Sequence, residues 1–153
     1  QLALMFEREI LDSREQFVEF KKEVLVPVAA LNYPLSAFAQ VTFEQILQSR
    51  QIVVASRDRS IKPELLYSRN YWRTDHHHSA CSLILKELGW GVLPLEMLNE
   101  NPKLKQQLKI LDLLDFTPKF EYFVDLVWSR ESNLGSAARF LINHVRNLRI
   151  HTK

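Results

Sequence analysis

The stretch Ala80-Cys-Ser-Leu-Ile-Leu-Lys-Glu-Leu-Gly-Trp-Gly-Val-Leu-Pro94 decides how the chain is to be read. In its first part Ala80, Leu83, Ile84 and Leu88 recur at the spacing that gathers apolar side chains on one face of a helix, about His78 to Leu88. Its last part, Gly91 to Pro94, is a short apolar run bounded by glycine and proline, the mark of a buried strand. Gly89 falls at the helix end, where a residue free to adopt positive φ is expected.

Outward from this stretch the same alternation repeats. Tyr71 to Thr74 and Gln51 to Ala55 read as strands. Val41-Thr-Phe-Glu-Gln-Ile46 reads as a helix start, with Thr42 as cap, Gln45 closing a capping box and Val41 stapled to Ile46. Phe17 to Ala30 is long and extended, and Pro27 within it predicts a strand that is broken, bulged or at an edge. Leu2 to Phe6 reads as a short strand. Downstream, helical turns are expected between Leu95 and Gln107, with strands at Leu108 to Leu114 and Phe120 to Ser129. A final helix spans about Ser136 to Ile150, its apolar face formed by Ala138, Leu141, Ile142, Val145 and Leu148. Strands alternating with helices predict an α/β fold with a largely parallel sheet.

Composition narrows the function classes. The chain has 153 residues, 46% of them apolar and 25% charged, which suits a globular domain. Twenty Lys and Arg against 18 Asp and Glu leave a net charge of +2, less than a domain that grips nucleic acid by its phosphates usually carries. One cysteine, Cys81, excludes an internal disulfide framework. Three glycines cannot write a phosphate-cradling loop. No apolar run is long enough to span a membrane. Gln1 to Phe6 is too short and uncharged for a signal peptide, so the sequence reads as an internal piece of something longer.

The densest chemistry lies in Thr74-Asp75-His76-His77-His78-Ser79-Ala80-Cys81, at a strand-to-helix junction. Three readings compete. His77 and Cys81 are spaced i, i+4, as two ligands on one helical face would be, but a closed zinc site needs four ligands. Alternatively, Thr74 or Asp75 merely caps the helix and the histidines are partly exposed. Or the helix N-terminus, lying at the end of a strand, offers its N–H groups to a small anion through Thr74 to His77. Ser56 and Arg57 follow their own strand in the same way, and Arg57 could fork onto an anionic group or simply be solvated. Cys81 sits in an apolar helical pattern that suits a buried, inert thiol. Trp90 and Trp128 read as core residues. The basic residues Arg146, Arg149, His151 and Lys153 suit a helix C-terminus. No catalytic constellation is apparent.

From Leu25 onward the sequence resembles the effector-binding domain of LysR-type transcriptional regulators. Val26 to Leu35, Val41 to Leu47, Leu88-Gly-Trp-Gly-Val-Leu-Pro94 and Asp125-Leu-Val-Trp128 with Ala137 to Leu141 match the family's segments in order. Gln1 to Phe6 fits its opening strand. Glu87-Leu88 departs from it, since the family usually shows a small residue and glycine there.

The resemblance implies a periplasmic-binding-protein-like fold of two α/β subdomains joined by crossing strands, the first subdomain incomplete. Residues 1–24 would be the remnant of subdomain I, and 25–115 subdomain II, with a crossing at about 21–31. Residues 116–153 would be the second crossing and the return to subdomain I. It implies a small-molecule effector, with an anion as one candidate, held in the inter-subdomain cleft at Ser56, Arg57, Thr74, Asp75, His76 and His77. It implies no enzyme activity, cofactor or metal, and a cytoplasmic protein whose full-length form is a homo-dimer or homo-tetramer. DNA would be reached only through a helix-turn-helix domain absent from this chain. The rivals are a solute-binding protein of the same architecture and a small metal-dependent hydrolase using the His76 to Cys81 cluster.

Overall fold

The structure, a computed structural model, describes residues 2–6, 12–55, 65–114, 116, 120–131 and 133–150. Its elements in chain order are β1 (Leu2–Phe6), β2 (Glu15–Ala30), α1 (Phe43–Gln48), β3 (Gln51–Val54), β4 (Tyr71–Thr74) and α2 (His77–Leu85). They continue with β5 (Trp90–Pro94), α3 (Leu95–Glu100), α4 (Pro102–Gln107), β6 (Leu108–Ile110), β7 (Glu121–Ser129) and α5 (Ser136–Ile150). The chain divides into two compact units: Gln1–Glu23 with Glu121–Lys153, and Val24–Phe120.

In the second unit the strands lie in the order β2-β5-β3-β4, with β6 also on β2. The sheet is mixed, where the sequence suggested a largely parallel one. β3 runs parallel to both its neighbours, β4 and β5, while β2 is antiparallel to both β5 and β6. Parallel strands need a crossover connection, and α2 carries the chain from β4 past β3 to β5. The core gathers Val28, Ile52, Ala80, Cys81, Ile84, Leu93, Leu98 and Leu108.

Pro27 does not break β2 or put it at an edge. The strand is continuous, with Pro27 opposite Val92 of β5 on one side and accepting from the Leu111 N–H (2.9 Å) on the other. A strand residue points its N and its C=O to the same side. The missing donor of Pro27 therefore faces Leu111, past the last paired residue of β6, and the ladder to β5 is left intact.

Helix α1 starts as its sequence predicts: the Gln45 N–H donates to Thr42 Oγ1 and the Thr42 N–H donates to Gln45 Oε1, a reciprocal pairing that stabilises a helix start by about 1 kcal/mol. Helix α2 ends differently from expectation. Glu87, not Gly89, takes positive φ (60°). The Glu87 N–H donates to Ile84 O and the Leu88 N–H to Leu83 O, a Schellman closure with a residue that carries a Cβ where glycine is usual. Gly89 and Gly91 are required by close approach to β3. A Cβ on Gly89 would lie 2.6 Å from Arg50 O, and one on Gly91 2.8 Å from Ile52 O.

In the first unit β7 lies between β1 and the first part of β2, and β1 pairs antiparallel with β7 from Leu2 opposite Trp128 to Phe6 opposite Val124. Helix α5 covers Val18, Leu126 and Trp128 through Ile142 and Val145. The expected apolar face is narrower than the sequence suggested: Leu141 and Leu148 are exposed, as is Phe140. The Trp128 indole N–H donates to Gln16 Oε1 (3.0 Å), and the Arg146 guanidinium lies over the Trp128 ring.

Candidate functional site

The parallel pairing of β3 with β4 aligns their carboxyl ends, Val54 opposite Thr74. One residue further, the Ala55 N–H donates to Thr74 O (2.8 Å). The chain after β4 turns at once into α2, so the end of β3, the end of β4 and the start of α2 converge in a few residues. Ser56 and Arg57 lie outside the described residues. Thr74, Asp75, His76 and His77 are all at this convergence.

Each of the four has its own setting. The Thr74 hydroxyl accepts from the His76 N–H (3.1 Å) and donates to His76 O (3.0 Å). It thereby fixes the turn into α2 rather than capping it. His76 is the N-cap residue, in extended conformation, and makes no side-chain cap hydrogen bond. The expectation that Thr74 or Asp75 caps the helix is therefore not met, because Thr74 bonds the residue before the first turn. Asp75 and His76 are exposed and His77 is half-buried. The first turn of α2 carries no acidic residue, and its backbone dipole favours a negative charge there.

Cys81, four residues after His77, is buried, and burial pushes its thiol pKa up. A desolvated thiol is a poor nucleophile and a poor metal ligand. Among the described residues no group of three or more His, Cys, Asp or Glu is placed to hold a metal ion. The zinc reading of His76 to Cys81 thus has no third ligand among them.

At the opposite end of β3 the sequence reading missed a buried polar network. Gln51 heads the strand and is almost wholly buried. Its Nε2 donates to Leu65 O (2.7 Å), and its Oε1 accepts from the Tyr67 N–H (2.9 Å) and the Ser68 N–H (3.1 Å). Ser68 Oγ donates to Ile46 O (2.7 Å) and accepts from the Trp90 indole N–H (3.1 Å). The one available signal was a polar residue opening an otherwise apolar strand. Beside it the Arg50 guanidinium lies 4.4 Å from the Trp72 ring centroid, and burial raises the pKa of the Tyr33 phenol against the opposing hydrogen bonds from Ser49 and Arg50.

Comparison with known proteins bears on this arrangement. Residues 1–149 match the LysR substrate binding domain family. The chain is 67% identical over 150 residues to the HTH-type transcriptional regulator AceR of Acinetobacter baumannii, covering 98% of this chain and 50% of that protein. It thus spans about half the length of that curated relative. The fold is similar to the regulatory domain of CcmR from Synechocystis in complex with 2-PG, with a TM-score of 0.68 at 14% identity, covering 99% of this chain and 74% of the other. It is likewise similar to the effector binding domain of QuiR in complex with shikimate, with a TM-score of 0.66 at 18% identity, covering 98% and 72%.

Proposed function

The chain belongs to the LysR substrate-binding domain family, and on that premise we propose that it senses a small effector at the carboxyl ends of β3 and β4. The observation that carries this is the junction itself. Ala55 is hydrogen-bonded to Thr74 directly before α2, whose N-cap makes no side-chain cap hydrogen bond. Such an end favours an anionic group, a carboxylate or phosphate, over a cation. Ser56, Arg57, Thr74, Asp75, His76 and His77 are the proposed contacts, with Thr74 acting mainly by shaping the turn. The proposal includes no cofactor and no catalysis. The two solved relatives above hold 2-PG and shikimate, which is consistent with a small-molecule ligand here.

We read the two units as the family's two subdomains. Effector binding shifts the balance between arrangements of the domain only as far as the effector prefers one of them. That shift is passed to a DNA-binding part of the whole regulator, in the cytoplasm and through contacts between copies. Among the described residues no helix is long and apolar enough to cross a membrane.

The test is a thermal-shift and calorimetric screen of the chain against shikimate, citrate, inorganic phosphate, and neutral and cationic compounds of similar size. The expected hit is an anion, whose affinity falls about tenfold or more in Thr74→Ala while the melting temperature of the ligand-free protein stays within a few degrees. A hit confined to cations, or one insensitive to Thr74→Ala and Arg57→Ala alike, overturns the placement.

A further inference from the structure

The buried network at the amino end of β3 leads to the place where the chain leaves the second unit. Gln51 fixes the backbone of Leu65, Tyr67 and Ser68, and Ser68 is held in turn by Ile46 and Trp90. With its backbone fixed, Tyr67 presents its ring to Phe116 (centroids 5.5 Å apart) and edge-on to Phe120 (6.2 Å). Phe120 is the last residue of the second unit before the chain enters β7. Its carbonyl accepts from the Leu25 N–H (2.7 Å), and Leu25 lies just after the point where β2 enters that unit. The two passages of the chain are thus bonded to each other at Leu25 and Phe120, and Tyr67 packs on that bond from the side of β3.

We propose that Tyr67 is a clamp within the second unit, on the two passages of chain that meet at its boundary: it sets how readily the Leu25–Phe120 pairing opens. The physical basis is local. Aromatic contacts beyond simple burial hold Phe120 in place, and Gln51 prevents Tyr67 from following if Phe120 moves. At the other end β3 closes at Val54, and the next residue, Ala55, is hydrogen-bonded to Thr74, so one four-residue strand separates the proposed effector contacts from the clamp. The clamp goes beyond the effector reading and stands without it.

Amide hydrogen exchange on the 153-residue chain, with no ligand present, tests it. In Tyr67→Leu the Leu25 amide is expected to exchange about three- to tenfold faster, with the amides of Val53 and Leu93 unchanged. Tyr67→Phe keeps the ring and is expected to match the wild type. Should Tyr67→Leu fail to fold, Phe120→Leu removes the same contact from the other side and must give the same selective acceleration. Unchanged protection at Leu25, acceleration spread evenly over Val53 and Leu93, or acceleration already present in Tyr67→Phe each overturns the clamp. Because the assay contains no effector, failure of the effector reading leaves its outcome untouched.

Discussion

Replacing Gln51 with leucine is expected to destabilise the second unit by about 2–3 kcal/mol. The substitution keeps the volume and removes three hydrogen bonds to the backbone of Leu65, Tyr67 and Ser68. A buried backbone group left without a partner costs about 1–3 kcal/mol. Ser68 is buried, so its N–H meets that penalty in full. Leu65 and Tyr67 are half-buried, so water relieves part of theirs, and each loses about 0.5–1 kcal/mol. Burying leucine in place of an amide returns about 1 kcal/mol. For a chain of this size the net loss lowers the melting temperature by about 5–10 °C. Urea unfolding followed by tryptophan fluorescence is the natural assay, because the Trp90 indole N–H bonds Ser68 and so reports the same network.

A Gln51→Leu protein within about 0.5 kcal/mol of wild type would refute the reasoning, since the segment 65–68 would then be held by something other than this amide.

Two further outcomes are expected. Glu87→Gly relieves a left-handed residue that carries a Cβ and should stabilise the protein by about 0.5–1 kcal/mol in urea titrations; Glu87→Ala, which keeps the Cβ, should not, and equal stabilities for both would refute the strain. Cys81, its pKa raised by desolvation, should react with thiol reagents far more slowly in the native protein than in urea. That group's contribution to stability is present below the unfolded thiol's pKa and is lost as the pH rises through the folded one, so wild type should lose stability relative to Cys81→Ala in alkaline solution; parallel pH profiles would count against this.

Local chemistry made much of the fold readable. Thr42 and Gln45 announce α1 because their bonds close within one turn, and β3, β4 and β5 announce themselves as short apolar or aromatic runs. Errors arose where distant chain decides. Gly89 looks like a helix stop, yet it is glycine because Arg50 O comes within 2.6 Å of where its Cβ would lie, and the stop falls to Glu87. Pro27 looks like a flaw in β2 until Leu111 is placed beside it. Leu141 and Leu148 fit a helical stripe but are exposed, while Ile142 and Val145 are the α5 residues buried in the core against Leu126 and Trp128.

The family resemblance, the strand-to-helix junction at Thr74 to His77 and the membership of most elements were legible in the residue order alone, because these rest on spacing, capping and turn chemistry within a few residues. It took the folded chain to show that β3 and β4 pair in parallel so that Ala55 meets Thr74, that Thr74 shapes the turn instead of capping α2, and that Gln51 grips a segment more than a dozen residues away. Pairing register and buried polar contacts join residues far apart in the chain, and no local pattern encodes which partner a buried amide will find.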